Sequence, residues 1–313
     1  MTAPVLSNRR FLGYDLQRPE CVLCLRGGEV LCSDRRGGVT IIAADGRLSC
    51  LGACGDPRFL TNGFGVKRDG TIVFANAGQA GGIWSIDTDG SVAPVVEEIE
   101  GTTNFVLITP EDEIWFSVLT TADHSAPFSA KRADGYIARV RGGTVEIMAD
   151  GLVSTNEFKI DHARGALYVN ETFARRTTRF EMDAAGRLSN RSVLAEYNEG
   201  SFPDGLALDA NGDIWTPSII ANRITHVTKQ GEVSVLYEES DAERVSEVQA
   251  ALDAEALTRE LIYRDTGDIL NNPTSLAFGG PNLSTVYVGS ISNTYLCAFS
   301  STVPGQPMPH WNR

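Results

Sequence analysis

A strand–turn–strand segment recurs six times along the chain, and this recurrence limits the possible fold more than composition does. Phe202-Pro203-Asp204-Gly205-Leu206-Ala207-Leu208 and Asp213-Ile214-Trp215, on either side of Ala210-Asn211-Gly212, read as two short apolar strands around a turn. Aligned on Asp204, the same frame fits Asn62, Asn104, Asn156, Thr274 and Glu20, each followed by an apolar strand, a turn and a second apolar strand. In chain order these zero positions step by 42, 42, 52, 48 and 70 residues. Periods of about 40 to 50 residues match a four-stranded propeller blade. The fold class expected is therefore all-β, a six-bladed β-propeller of four-stranded blades. Its 313 residues would form one domain spanning 1–313, where length alone suggests two.

Each copy is followed by a second apolar hairpin that supplies the outer half of a blade, such as Gly82 to Ile86 with Ser91 to Val95. The last copy shows one clear outer strand, Thr294 to Phe299, so Arg10 to Leu16 is expected to supply the missing strand and close the ring. The long final step is explained by an insertion at 240–268, between blades 5 and 6. There Val245, Val248, Leu252, Ala256, Leu257 and Leu261 recur at helical spacing. A helix packed on the side of the propeller is the favoured placement for this insertion, ahead of a lid over the site.

The balance of 27 Lys+Arg against 40 Asp+Glu leaves a net charge of −13, which argues against nucleic acid or anionic lipid as partners. No apolar run approaches the length of a membrane span and Met1 to Arg10 has no apolar leader, so a cytoplasmic protein with no membrane partner is expected. The six cysteines, Cys21, Cys24, Cys32, Cys50, Cys54 and Cys297, are expected to be reduced. Cys21 and Cys24 lie in an apolar run without Gly or Pro and read as packed strand residues rather than half of a zinc or redox site.

The innermost strand of each propeller blade lines the central channel, so the zero positions direct Glu20, Asn62, Asn104, Asn156, Asp204 and Thr274 towards one axis. All six carry oxygen. Two carboxylates and three carboxamides suit a hard divalent cation better than a zinc or copper cage of His and Cys. Asn and Asp are also ordinary turn residues, and a polar channel often holds only water, which accounts well for Asn62 and Thr274. It accounts less well for Glu20 and Asp204, which repel in a confined space unless a cation or protons intervene.

Arg18-Pro19-Glu20, Thr103-Asn104, Gly151 to Asn156, Phe202 to Asp209 and Pro273 to Pro281 together resemble the senescence marker protein 30/gluconolactonase/luciferin-regenerating-enzyme family along nearly the whole chain. The resemblance implies a six-bladed propeller that hydrolyses lactones with one divalent metal in its channel. Calcium is the expected ion, with magnesium, manganese and zinc as alternatives. By matching motifs it implies Glu20, Asn156 and Asp204 as metal ligands, with Asn104 on the metal or on its water and substrate. Asp204 would be the catalytic base, or in a related reading a nucleophile.

Two departures bear on specificity. Sugar-lactone members commonly carry Arg two residues before the channel Asn, where this chain has Thr102 at the substrate position, and Asn156 lies between Thr155 and Glu157 instead of Pro and Gly. Strand alternation points Glu157 away from Asn156, so it is not expected among the ligands. The loop Ser117 to Asp134 would shape the pocket, and its His124 is a proton shuttle, a substrate contact or, the favoured reading, an exposed residue without a catalytic role. The expected partner is a small-molecule lactone or ester. The rival readings are an organophosphate or aryl-ester hydrolase on the same site, and a non-catalytic scaffold with a structural cation.

Overall fold

The fold is described by a computed structural model, which covers residues 3–264 and 267–312. Positions 1, 2 and 313 of the expected 1–313 span, and 265 and 266 of the expected 240–268 insertion, lie outside the described residues.

Six antiparallel sheets surround a channel as a six-bladed propeller. Blade 1 comprises Val22–Cys24, Val30–Ser33, Gly38–Ile42 and Leu48–Gly52; blade 2 Thr61–Val66, Ile72–Asn76, Ile83–Ile86 and Val92–Val96. Blade 3 comprises Thr103–Ile108, Ile114–Val118, Gly135–Arg141 and Thr144–Leu152; blade 4 Thr155–Asp161, Ala166–Glu171, Arg176–Met182 and Leu188–Glu196. In blade 5 the innermost strand is broken into Ser201–Pro203 and Ala207–Leu208, both paired to Ile214–Ile220, followed by Arg223–Val227 and Val233–Glu238. Blade 6 is built from Pro273–Gly279, Thr285–Ser290 and Leu296–Ser301. Its outermost strand is Leu6–Leu12, paired with Leu296–Ser301 from the register Leu6↔Ser301, so the start of the chain closes the ring. The closing strand begins earlier than the expected Arg10 to Leu16, because beyond Leu12 Gly13 adopts φ +69° and the chain turns inward to bury Leu16.

The inner strands are buried on both faces and pack blade against blade, which is why they read as continuous apolar runs rather than alternating ones. Trp115, Trp215, Phe64, Phe74, Phe116, Phe158 and Phe202 are fully buried between blades, each removing apolar surface whose burial stabilises the fold by about 2–3 kcal/mol. Edge-to-face pairs such as Phe105 with Phe158, at 5.6 Å, cross from blade 3 to blade 4.

The insertion forms two helices, α1 (Ala242–Asp253), capped by the Asp241 carboxylate on Glu243 N and Arg244 N, and α2 (Arg259–Tyr263), capped by Thr258. Val248, Leu252, Leu257 and Ile262 join Phe173, Phe202, Ile219 and Ile220 in one apolar cluster, and Phe128 pairs with Leu257 in an isolated bridge. The expected placement on the propeller's side is therefore corrected. The apolar stripe meets the ends of blades 4 and 5 and the 117–134 loop at the channel mouth, where it covers Phe128, Phe173 and Phe202.

The thiol expectation is also corrected in part. Cys50 and Cys54 form a disulfide, with Cα atoms 6.5 Å apart. Gly52, at φ +100°, ends the outer strand of blade 1, and Cys54 N donates to Gly52 O, turning the second sulfur back beside the first on the exposed rim. Cys21, Cys24, Cys32 and Cys297 are free and buried as expected, with burial raising each thiol pKa.

Candidate active site at the channel mouth

One local device recurs at the zero positions: the innermost strand loses its ladder register there. The pairing slips between Thr61 and Phe64, Thr103 and Phe105, Thr155 and Phe158, and Pro273 and Ser275. In blade 5 Asp204 occupies the gap in the broken strand, and in blade 1 Glu20 lies just ahead of Val22–Cys24. A residue freed from the ladder is re-aimed, and here the re-aiming is towards the channel. Gly205 makes the blade 5 gap possible. A Cβ there would come within 2.5 Å of Thr274 O, the atom that accepts the Gly205 N–H.

Glu20, Asn62, Asn104, Asn156 and Asp204 line a cavity of about 200 Å³ at the mouth. Thr102 and His124 line it as well, so every site residue expected from sequence borders one space. Thr274 does not line it; its hydroxyl donates to Glu20 O at 2.8 Å and fixes the backbone that carries the carboxylate. Asn156 Nδ2 donates to Thr172 Oγ1 at 3.0 Å, and Asn62 Nδ2 donates to Asn104 O at 2.8 Å. His124 is exposed at the rim, and its pKa is lowered by partial burial and by Arg259, which donates to its carbonyl.

Arg18 was missed by the repeat, because it precedes the frame and occurs in one blade only. It adopts φ +54°, and Glu20 N donates to Arg18 O at 2.8 Å, folding the segment so that both side chains face the cavity. Arg18 Nη2 donates to Asn62 Oδ1 at 2.8 Å, while Nη1 is buried with no hydrogen-bond partner. Sequence signals were present in the Arg-Pro-Glu run, but alignment on the zero position gave them no weight.

Glu157, beside the slip between Thr155 and Phe158, is buried and does not line the mouth cavity with Asn156; it borders a second cavity with Cys21, Lys159 and Leu208. Its carboxylate accepts from Lys159 Nζ at 3.0 Å, and Lys159 lies 4.2 Å from the Phe105 ring centroid.

The electrostatics single out the remaining carboxylates. Burial pushes Glu20 up to about 7; Arg18 pulls it down, Glu157 pushes it up and a hydrogen bond from Asn62 pulls it down. Asp204 is raised well above the usual carboxylate range, first by burial and then by Glu20 and Glu157. Glu20 Oε2 is buried without a hydrogen-bond partner. An orphaned carboxylate oxygen, a second strained carboxylate and neighbouring carboxamide oxygens are a donor set that fits a hard divalent cation. Apolar wall comes from the capping elements, through Phe128, Ile262 and Tyr263, and from the ends of blades 4 and 5, through Phe173 and Ile219.

The family model for the SMP-30/Gluconolactonase/LRE-like region matches residues 57–249. A 6-deoxy-6-sulfogluconolactonase from Pseudomonas putida is 26% identical over 147 residues, 46% of this chain and 40% of that protein, so the chain spans about two fifths of the length of that relative. Among solved structures, a gluconolactonase from Xanthomonas campestris superposes with a TM-score of 0.69 at 18% identity, covering 97% of this chain and 96% of that one. The calcium-binding protein regucalcin from Agrobacterium tumefaciens superposes at 0.70 and 15% identity, covering 97% and 98%. At these identities the two structures speak to the fold alone.

Proposed function

The chain belongs to the SMP-30/gluconolactonase/LRE-like family, and from that premise we propose that it is a divalent-metal-dependent lactonase that opens a cyclic ester at the channel mouth. The observation that carries the reading is the pair Glu20 and Asp204: two buried carboxylates with raised pKa facing one cavity, neither held in an ion pair among the described residues. Glu20, Asn156 and Asp204 would hold the ion with Asn104 beside it, and calcium suits this all-oxygen set. When bound, the cation supplies Lewis acidity towards the ester carbonyl and the attacking water. The sulfogluconolactonase relative supports the reaction type.

The chain's own residues carry the remaining steps. Asp204 accepts a proton from the attacking water, and the burial that raises its pKa makes its ionised form the stronger base. Asn104 and the unpartnered Arg18 Nη1 donate to substrate oxygens, taking up at this site the polar contact that Thr102 is too short to make. Thr102 and His124 border the substrate at the rim. The cap of α2 and the 117–134 loop excludes bulk water from the reacting group.

The apolar cap favours a lactone with an apolar arm over a fully hydroxylated sugar lactone, and the same wall gives the aryl-ester reading its support. The test is a hydrolysis screen of chelator-stripped protein on sugar, aliphatic and aromatic lactones and aryl esters, with calcium, magnesium, manganese or zinc restored. Turnover of a lactone that requires an added ion is expected. No lactone turnover with any ion overturns the proposal, and turnover confined to aryl esters transfers it to the second reading.

A further inference from the structure

Blade 5 carries a second cluster of ionisable groups, five residues down the innermost strand from Asp204 and so up to about 17 Å from it along the chain. Asp209, Asp213 and His226 each offer a ligand atom within 4.8 Å of the others. His226 Nε2 is 3.4 Å from Asp213 Oδ2 and 3.8 Å from Asp209 Oδ2. The three side chains are buried, with His226 only 4% exposed, and both of its ring nitrogens lack a hydrogen-bond partner.

Blade 3 provides an internal control, because it presents the same frame with other residues. Thr109, Glu113, Trp115 and Arg139 occupy the places of Asp209, Asp213, Trp215 and His226, and the register pairs Trp115 with Arg139 as it pairs Trp215 with His226. Thr109 Oγ1 holds its turn by accepting from Glu111 N at 3.3 Å and Glu113 N at 3.2 Å. Asp209 Oδ1 does the same work with Asn211 N at 2.8 Å and Asp213 N at 3.1 Å, leaving Oδ2, which also accepts from Trp215 Nε1 at 3.1 Å. Asp213 Oδ1 accepts from Lys229 N at 2.9 Å, and its Oδ2 faces the imidazole. A hydroxyl is enough for the turn, so the second carboxylate exceeds what the fold requires. In blade 3 each carboxylate faces a permanent cation: Arg139 pairs with Glu146 at 2.8 Å and Arg141 with Glu113 at 2.9 Å. Blade 5 sets a single imidazole against two carboxylates.

We propose that Asp209, Asp213 and His226 bind one divalent cation of the zinc type, separate from the channel ion. Mixed imidazole and carboxylate donors suit zinc better than calcium, and ligand atoms about 3.4 Å apart are what metal–ligand bonds of about 2.1 Å in a tetrahedron require. The remaining position opens to a surface cavity that Asp213 and His226 line together with Asn211, Thr228 and Glu232, giving the ion a route in and room for a water ligand.

The test is a zinc titration of chelator-stripped full-length protein against a chromophoric competitor, in saturating calcium to occupy the channel. The wild type is expected to bind one zinc, and Asp204→Asn, altered in the channel only, is expected to bind it equally. Asp213→Asn and His226→Arg, the latter copying blade 3, are expected to weaken it on the order of 100-fold or more while retaining the circular dichroism spectrum. Zinc-free wild type under these conditions overturns the proposal. So does undiminished zinc binding in both variants. If either variant fails to fold, cobalt added to the wild type decides: the intense visible bands of tetrahedral cobalt support the site, and their absence overturns it.

Discussion

Two pairs of ionisable groups share the channel and differ in how their charge is met. Glu157 and Lys159 form a buried ion pair at 3.0 Å, and the ammonium rests 4.2 Å from the Phe105 ring centroid, so this pair is satisfied by the chain itself. Glu20 and Asp204 are buried alike, but burial raises the cost of ionising both, Glu20 raises that of Asp204 further, and Arg18 offsets it only partly. The difference teaches that burial alone does not mark a site. What separates the two pairs is the missing positive charge, which Lys159 supplies to Glu157 and which the proposed divalent ion would supply at the mouth.

The strongest way to break the comparison is to remove one unsatisfied carboxylate. Asp204→Asn keeps the shape but removes both a proposed ligand and the proposed base, so kcat/KM for the screened lactone is expected to fall at least about 1,000-fold, with the fold retained in circular dichroism. Calcium should then raise the thermal midpoint far less than in the wild type. An activity within about tenfold of wild type would place the base elsewhere.

Removing the satisfied pair's cation makes the converse test. Lys159→Met leaves Glu157 buried without its partner and is expected to destabilise the protein by about 3–5 kcal/mol in urea denaturation. Adding Glu157→Gln should recover much of that loss, because the uncompensated charge, rather than the lost bridge, accounts for most of it. A double variant no more stable than the single one would mean that the pair supports packing and not charge.

A third test follows pH in metal-free protein. Glu20 holds its proton to about 7 when folded, against an ordinary 4.5, so the unfolded chain releases it first. Stability from this group is full below about 4.5 and is lost as pH rises towards 7, on the order of a few kcal/mol, with Asp204 adding in the same direction. The midpoint of chelated protein should therefore fall over that window, and the stabilisation on adding calcium should grow over it. Glu20→Gln should flatten both trends, while Glu157→Gln paired with Lys159→Met should leave most of the slope in place.

The two pairs also differ in how legible they were in the sequence. Glu20 and Asp204 occupy a repeated position, so a frame carried round six copies delivered them, together with Asn62, Asn104 and Asn156. The pairing of Glu157 with Lys159 was not legible, because a slip in strand pairing has no marker in the residues around it. The helical insertion was visible in its spacing, but its docking over the mouth depends on Phe128, Phe173 and Phe202, which come together only when the ring closes. The Cys50–Cys54 bridge depends on the turn at Gly52, a local geometry that cysteine spacing does not reveal. Periodic features were legible; features that depend on one departure from the period were not.

Arg18 is such a departure, and it sharpens the comparison at the smallest scale. Its charge lowers the pKa of both Glu20 and Asp204, yet its guanidinium is bonded to Asn62 and not to either carboxylate, leaving Nη1 free towards the cavity. A group placed to meet substrate oxygens in the ground state contributes uniform binding, so Arg18→Gln should raise KM about tenfold, or about 1.4 kcal/mol, with kcat within about twofold. Arg18→Lys, which keeps the charge but loses the planar fork, should recover only part of this. A matching fall in kcat would instead place Arg18 on charge that develops in the transition state. If neither constant moved and the calcium affinity changed, its role would be to balance Glu20 and Asp204, as Lys159 balances Glu157.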